Sequence, residues 1–233
     1  MLHSCGGNKE ARIGFSKEAR AVIFDMDGLM YDSERLAREG WNDVAARHDI
    51  EIPGSLIDRS MGLTCSEVRR LMQAHFDERG ISADAVALHR ERNALMLNRI
   101  EREGAPTKPG LYALLLHIRL KKRSTAVASA ASPERVETLL RKSDLTNAFD
   151  VIVHGGDAKN GKPDPEIFLT ASTRLRIAPE ECLVLEDSAN GVLAAAAAGR
   201  PVIMIPDQLA PTDKIRALAF KVLPSLNDVI PLL

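Results

Sequence analysis

The sequence predicts an α/β fold, in which a doubly wound parallel sheet carries a small all-helical domain. Three observations support this prediction. Short apolar runs alternate with longer helical patterns, polar side chains follow several of the runs, and one connection of about 75 residues shows no strand pattern. With 233 residues, the chain is long enough to bury a substantial apolar core.

The predicted strands are runs of three to five almost continuously apolar residues, the pattern of strands buried on both faces of a parallel sheet. These runs are residues 21–24, 125–128, 151–153, 182–185 and 201–205. Segments with helical spacing or composition lie between them, at residues 111–122, 133–143, 165–176 and 189–198. This alternation is typical of a sheet with helices on both faces.

The predicted core helices have recognisable ends. Ser132 precedes Pro133 and Asp164 precedes Pro165, so each pair offers a capping side chain followed by a residue suited to the first helical turn. Gly199 follows the alanine-rich segment and is a good helix stop, and we interpret the alanines as close helix–sheet packing.

One connection is too long for a simple crossover between two strands. Residues 33–107 contain only charged amphipathic patterns, which predict helices at 34–48, 66–78 and 83–102. We therefore expect an all-helical domain at 33–107, a core formed by 18–32 and 108–233, and a loosely ordered extension at 1–17.

The composition excludes several classes of function. Lysine and arginine number 31 against 32 acidic residues, so no strong field attracts nucleic acid or an anionic membrane, and aromatic residues are only 4%. No apolar run reaches the ~20 residues that a membrane span needs, and no signal peptide opens the chain. Three widely spaced cysteines suggest reduced thiols and a cytoplasmic location. The oligomeric state cannot be derived from the sequence, and a monomer is compatible with it.

Polar residues follow four of the predicted strands. They are Asp25-Met26-Asp27-Gly28, then Ser129, then the loop ending in Gly161-Lys162-Pro163-Asp164-Pro165, and finally Glu186-Asp187-Ser188. In an open α/β sheet, ligands bind at the carboxyl ends of the strands. We therefore expect these four sites to converge in space.

Such a convergence would bring together four carboxylates, one ammonium and one hydroxyl. Crowded carboxylates raise one another's pKa unless a cation shares the site, and an all-oxygen donor set suits Mg²⁺. Lys162 and Ser129 are suited to bind phosphoryl oxygens. One aspartate can attack phosphorus and a second can exchange protons with the leaving group, while Gly28 allows a tight turn beside them.

These motifs resemble the haloacid dehalogenase superfamily. The similarity is carried by the segment Asp25-Met26-Asp27-Gly28-Leu29-Met30 with Asp32-Ser33-Glu34, by Ser129, by Lys162-Pro163 and by Glu186-Asp187, and it covers about residues 20–225. More narrowly, the chain is similar to the β-phosphoglucomutase-like phosphatases, which insert a helical cap after the first motif into a Rossmann-like core. The resemblance implies a Mg²⁺-dependent phosphatase that acts on a small phosphorylated metabolite such as a sugar phosphate.

The resemblance also implies roles for individual residues. Asp25 would be the nucleophile and Asp27 the general acid and base. Ser129 and Lys162 would bind the transferring phosphoryl group, with Ala130 beside them in the substrate site. The metal ligands would be Asp25, the carbonyl of Asp27, Asp187 and Glu186. Arg59 lies where caps of this branch present a substrate-contacting loop, and an arginine forms forked hydrogen bonds to anionic oxygens.

Some residues have a second, structural interpretation. Ser129 could serve only the following helix start, and Glu186 could pair with Lys162 instead of binding metal. His154 ends a strand and could approach the site. Asn190 and Gly191 are interpreted only as the beginning of a helix, and Trp41 as core of the helical domain.

Other functions fit these residues less well than a phosphatase does. A dehalogenase would not need Asp27 or the acidic pair, and a phosphonate hydrolase would need a cap lysine, of which residues 33–107 have none. A phosphomutase shares every core residue, but related mutases have a histidine near Ala37 and an arginine near Cys65. A catalytically inactive binding module would have lost a core group, and no such loss is visible.

Overall fold

The computed structural model describes residues 19–61 and 63–233. The strands are β1 (Ala21–Phe24), β2 (Ser124–Ala128), β3 (Val151–Val153), β4 (Cys182–Glu186), β5 (Val202–Met204) and β6 (Lys221–Val222). Within the described residues they form one six-stranded parallel sheet in the order β3-β2-β1-β4-β5-β6. The predicted doubly wound α/β fold is confirmed.

The first strand lies at the point where the strand order reverses. β1 pairs with β2 on one side and with β4 on the other, and Phe24 is in register with both Val127 and Leu185. The carboxyl ends of these strands therefore reach the same level of the sheet. A crevice opens there because the connections leave the reversal point towards opposite faces.

Helices cover both faces of the sheet. The core helices are α5 (Leu111–Leu120), α6 (Pro133–Lys142), α7 (Glu166–Leu175), α8 (Ala189–Ala197) and α9 (Asp213–Leu218), with 3₁₀ turns at Pro179–Glu181 and Leu226–Leu232. Val22 and Phe24 of β1 pack in the same apolar cluster as α5 and α6. Ala21 and Ile23 point to the opposite face, where α7 and α8 pack. Burial on both faces explains the continuous apolar strand patterns.

The long connection after β1 is helical. It contains α1 (Ser33–His48), α2 (Gly54–Ser60), α3 (Cys65–Arg79) and α4 (Ala85–Glu103), and no strand lies within residues 33–61 and 63–103. We call this segment the helical insertion. Trp41, Met72 and Phe76 are fully buried in an apolar cluster of its own, as expected for Trp41.

The two chain segments that join the helical insertion to the core lie side by side. Tyr31 forms an antiparallel bridge with Thr107. The amide of Asp32 donates to the Pro106 carbonyl at 2.9 Å, and that of Lys108 donates to the Met30 carbonyl at 2.8 Å. The insertion is thus attached through a short two-stranded ribbon.

The structure adds elements that the sequence patterns did not predict. These are the seven-residue helix α2, the six-residue helix α9 and the two-residue edge strand β6, all too short for a clear periodicity. At the start of α7 the N-cap is Pro165 and not the predicted Asp164, although Asp164 Oδ1 accepts from the Glu166 amide at 2.9 Å. The extension predicted at 1–17 lies outside the described residues. No helix among the described residues is long and apolar enough to span a membrane.

Candidate active site

The site is centred on Asp25, the first residue after β1. Its amide donates to the Leu185 carbonyl at 3.0 Å, which continues the pairing with β4, and its side chain is buried. Lys162, which is 137 residues away in sequence, donates from Nζ to both Asp25 Oδ1 and Glu186 Oε1. Three of the four strand-end sites that were predicted to converge, those of Asp25, Lys162 and Glu186, therefore meet here.

Glu186, at the end of β4, has both carboxylate oxygens engaged. Oε1 accepts from Lys162, and Oε2 accepts from the Asp187 amide at 3.0 Å, the Ser188 amide at 2.9 Å and the Ser188 hydroxyl at 3.0 Å. The side chain is fully buried. Of the two interpretations of Glu186, this geometry favours the partner of Lys162 and organiser of the turn before α8.

Two glycines make room for the carboxylates. A Cβ atom at Gly191 would lie 1.8 Å from Glu186 Oε1, and one at Gly28 would lie 2.2 Å from Asp187 Oδ2. Gly28 also has a positive φ of 81°, as the predicted tight turn requires. Gly191 does begin α8, as expected, but its lack of a side chain matters more because the Glu186 carboxylate occupies that space.

Three carboxylates at the strand ends are close enough to share a cation. Asp25, Glu186 and Asp187 each offer an oxygen, and these atoms lie within 4.8 Å of one another. Burial raises the pKa of Asp25 to about 8, with Lys162 opposing the shift and Glu186 adding to it. Burial and the Glu186 charge likewise raise the pKa of Asp187 well above its usual range. Such a cluster fits a hard divalent cation, because bound positive charge would relieve the repulsion.

Asp27, two residues after Asp25, is held by two donors. Its Oδ1 accepts from the Ser33 hydroxyl at 2.6 Å and from an Nη atom of Arg135. Arg135 lies in the first turn of α6 and is not among the site residues predicted from the sequence. Its position three residues after Ser132 was the available signal, because Cβ atoms of a helix tilt towards the N-terminus, here towards the strand ends.

Ser129 and Ala130 follow β2, the other neighbour of β1. Ser129 is fully buried, its amide donates to the Val153 carbonyl at 3.0 Å, and its hydroxyl accepts from the Ala131 amide at 3.1 Å. Ala130 is exposed. Both residues thus lie at the carboxyl edge of the sheet, as expected from the sequence.

Two predicted site residues have no contact with this cluster. Arg59, in the last turn of α2, is exposed and makes no hydrogen bond or ion pair with any described residue. His154 contacts its own turn, where its amide donates to Asp157 Oδ2 at 3.0 Å. The insertion instead approaches the core at Thr64, whose Cγ2 lies 3.0 Å from where a Cβ of Gly161 would be.

Known proteins with similar sequences identify the family to which this chain belongs. Residues 19–199 match the family model described as haloacid dehalogenase-like hydrolase. The chain belongs to the haloacid dehalogenase-like hydrolase family. The resemblance stated from the motifs is therefore confirmed.

The chain is similar to several phosphatases of this family. It is 34% identical to a probable pseudouridine-5'-phosphatase of Drosophila melanogaster over 90% of each chain. It is 36% identical to a phosphorylated carbohydrates phosphatase of Thermotoga maritima over 77% of this chain and 81% of that protein. A putative β-phosphoglucomutase from Thermotoga maritima has a similar structure, with a TM-score of 0.74 and 29% identity over 91% of this chain and 97% of that one. These relatives confirm the prediction of an enzyme of the phosphoric monoester hydrolase class.

Proposed function

We propose that the chain is a Mg²⁺-dependent phosphatase that hydrolyses small phosphomonoesters, such as sugar phosphates, through an aspartyl-phosphate on Asp25. The observation that carries the proposal is that the Asp25 carboxylate accepts from Lys162 Nζ and lies within 4.8 Å of an Asp187 carboxylate oxygen. A buried nucleophilic carboxylate beside a fixed ammonium is suited to an incoming phosphoryl group, whose charge the ammonium compensates.

In the first step, the Asp25 carboxylate attacks phosphorus and the ester bond to the leaving group breaks. Asp27 gives its proton to the leaving oxygen, and Lys162 neutralises charge on the phosphoryl oxygens. The Ser129 hydroxyl and the backbone beside Ala130 hold the same group from the β2 side. In the second step, Asp27 removes a proton from the water that attacks the aspartyl-phosphate, which releases inorganic phosphate and restores Asp25.

Asp25, Asp187 and the carbonyl of Asp27 are the proposed metal ligands. When bound, Mg²⁺ would supply positive charge to the phosphoryl oxygens and hold them in line. Glu186 supports the site through Lys162 and the turn that carries Asp187, because its own oxygens are already engaged.

We propose that residues 33–107 act as a cap over the site, as the motif resemblance implied. Two observations support this role: the insertion has its own apolar cluster, and it joins the core through the ribbon around Tyr31 and Thr107. Closure of such a cap excludes bulk water and strengthens the charges around the phosphoryl group. Scattering with and without beryllofluoride should show a more compact state with the analogue, and identical profiles would contradict the closure.

A phosphomutase is the second candidate, favoured by the similarity to a protein named as a putative β-phosphoglucomutase. It would retain the same first step and differ in what attacks the aspartyl-phosphate. Ala37 is buried and Cys65 carries a thiol, so neither supplies the cap contact that related mutases have at these positions. Arg59, Arg69 and Arg70 of the insertion remain as alternative contacts to a second phosphate.

The covalent mechanism is tested by Asp25→Asn. The amide is a poor nucleophile, so phosphate release should fall at least tenfold while the circular dichroism spectrum is retained. Asp84→Asn, the same change at an exposed helix cap, is the matched control and should keep wild-type activity. Beryllofluoride and removal of Mg²⁺ by a chelator should each inhibit the wild type. More than a tenth of the activity remaining in Asp25→Asn would refute nucleophilic attack by Asp25.

Phosphatase and mutase are separated by the fate of the phosphoryl group. In ¹⁸O-labelled water, a phosphatase puts one heavy oxygen into each released phosphate, at the rate at which substrate disappears. Conversion of a sugar 1-phosphate to the 6-phosphate with little free phosphate, particularly after priming by a bisphosphate, would favour the mutase.

A further inference from the structure

The loop after β5 brings one more carboxylate to the edge of the sheet where the candidate site lies. β5 pairs with β4, so that Met204 is in register with Glu186, and Asp207 follows three residues later. The side chain of Asp207 is only 5% exposed. Asp207 is not among the site residues predicted from the sequence, and it takes no part in the proposed reaction.

The two carboxylate oxygens of Asp207 differ in their contacts. Oδ1 accepts from Lys108 Nζ and from Gln208 Nε2, the latter at 3.1 Å. Oδ2 is buried, and no residue that the structure describes donates to it. At Glu186, which also pairs with a lysine, both oxygens are engaged. A buried carboxylate oxygen without a donor is costly, so Asp207 lacks one hydrogen bond that a ligand can supply.

The unpaired oxygen of Asp207 lies beside the carboxylate of Asp187. A Cβ atom at Gly28 would be 2.2 Å from Asp187 Oδ2 and 3.3 Å from Asp207 Oδ2, so the two oxygens are at most about 5.5 Å apart. The Gly28 amide already donates to the Tyr31 carbonyl at 3.0 Å. Asp187, when ionised as a metal ligand, is itself an acceptor. Neither neighbour therefore satisfies Asp207 once the metal site is formed.

Asp207 is placed to act on the cation site from outside the group of direct ligands. The three carboxylates whose oxygens lie within 4.8 Å of one another are Asp25, Glu186 and Asp187, and Asp207 is not one of them. Mg²⁺ bound to a protein usually keeps several waters, which are hydrogen-bond donors. One such water can join two oxygens about 5.5 Å apart, because each O–H···O bond is about 2.8 Å long.

Lys108 fixes the direction of the Asp207 side chain. The amide of Lys108 donates to the Met30 carbonyl at 2.8 Å, which anchors this residue in the ribbon that joins the insertion to the core. Its Nζ takes Asp207 Oδ1 and leaves Oδ2 on the side of Asp187. Residues that hold the ligands of a metal in this indirect way contribute to its affinity.

We propose that Asp207 is a positioning residue of the metal site, which accepts through Oδ2 from a water of the bound Mg²⁺ while Lys108 holds Oδ1. The proposal rests on the proposed Mg²⁺ site at Asp25 and Asp187. Asp207 then stabilises the hydrated ion without touching the phosphoryl group. Loss of an outer partner of this kind typically costs about 10–100-fold in metal affinity.

The affinity for Mg²⁺ alone, measured by isothermal titration calorimetry without substrate, tests the proposal. In Asp207→Asn the amide oxygen should stay with Lys108, because the amide NH₂ cannot accept from an ammonium. The NH₂ group would then face the water in place of an acceptor, so the Kd for Mg²⁺ should rise about 10–100-fold. Asp157→Asn is the matched control. Asp157 also follows a strand and is ion-paired, but its partners are Arg174 and the His154 amide, so the Kd should equal that of the wild type.

Urea unfolding with and without Mg²⁺ separates this role from a merely structural one. A structural role would lower the free energy of unfolding equally in both conditions. The proposed role predicts that Mg²⁺, well above both Kd values, stabilises Asp207→Asn less than the wild type, by about 1.4 kcal/mol for each tenfold rise in Kd.

The outcomes distinguish the role of Asp207 from the metal site itself. A Kd in Asp207→Asn within about threefold of the wild type, or an equal loss of stability with and without Mg²⁺, would overturn the role of Asp207 and leave the metal site standing. Absence of Mg²⁺ binding by the wild type would overturn the proposed metal site, and the role of Asp207 with it.

Discussion

Replacing Gly191 by alanine is a sharp test of how closely the site is packed. In the first turn of α8, where Gly191 lies, alanine should favour the helix over glycine by at most about 1 kcal/mol. The new Cβ atom, however, would lie 1.8 Å from Glu186 Oε1. The carboxylate would have to retreat by about 1.6 Å to restore an ordinary 3.4 Å contact. Glu186 cannot move that far and keep its hydrogen bonds to Lys162 and Ser188.

Overpacking of this kind costs about 1–3 kcal/mol, and disturbing the buried pair with Lys162 adds to it. After the helix propensity is subtracted, we expect the free energy of unfolding to fall by about 1–3 kcal/mol in urea titrations. A displacement of about 1 Å at a catalytic group can cost 10²-fold, so kcat/KM should fall by about that factor.

Gly54→Ala is the matched control for this substitution. A Cβ at Gly54 of α2 would meet only Arg38 Nη1 at 3.8 Å, so the change should leave activity unaltered and stability equal or slightly higher. If Gly191→Ala also proved more stable than the wild type and kept its full activity, the Glu186 carboxylate would not occupy the space described, and the support it gives to Lys162 would have to be abandoned.

Two further predictions concern buried ionisable groups. His89 is buried in the insertion, accepts from Arg69 Nε at 3.4 Å, and has its pKa lowered to about 4 by burial and then by the charges of Arg92 and Arg69. Below about pH 6.5 the unfolded chain binds a proton at His89 and the folded chain does not. The free energy of unfolding should therefore fall by about 3 kcal/mol between pH 6.5 and 4. In urea titrations over this pH range, His89→Gln should remove most of that fall. Lys162→Met should lower kcat roughly 10²–10³-fold, and the free energy of unfolding by about 3 kcal/mol, because Glu186 is left as a buried charge without its cation. Values near those of the wild type in both assays would contradict the pairing of Lys162 with Glu186.

Much of the sheet and the meeting of the strand ends follow from local sequence signals. Five buried strands were recognisable because burial on both faces leaves almost no polar residue in 21–24 or 182–185. The proximity of Asp25, Lys162 and Glu186 could be predicted because parallel strands present their carboxyl ends on one edge of the sheet.

What could not be predicted depends on three-dimensional packing between distant segments. The reach of Arg135 to Asp27 depends on how α6 packs beside β1, and the space needed by Glu186 beside Gly191 depends on the turn before α8. Neither contact produces a periodic pattern in the sequence from which it could be predicted. The position of Arg59 likewise follows from the short helix α2. This helix was not predicted, because seven residues are too few to show a clear periodicity.

The ribbon formed by the two connecting segments has a consequence for how this architecture can be altered. Because Tyr31 lies beside Thr107, the chain enters and leaves the helical insertion at nearly the same place. Removing everything between them would leave two ends that a short turn can join, without lengthening any path in the sheet. The helical insertion could therefore be replaced by another insertion without a change in the connections of the core sheet. One contact of the candidate site crosses this junction, because the Ser33 hydroxyl of the insertion donates to Asp27 of the core.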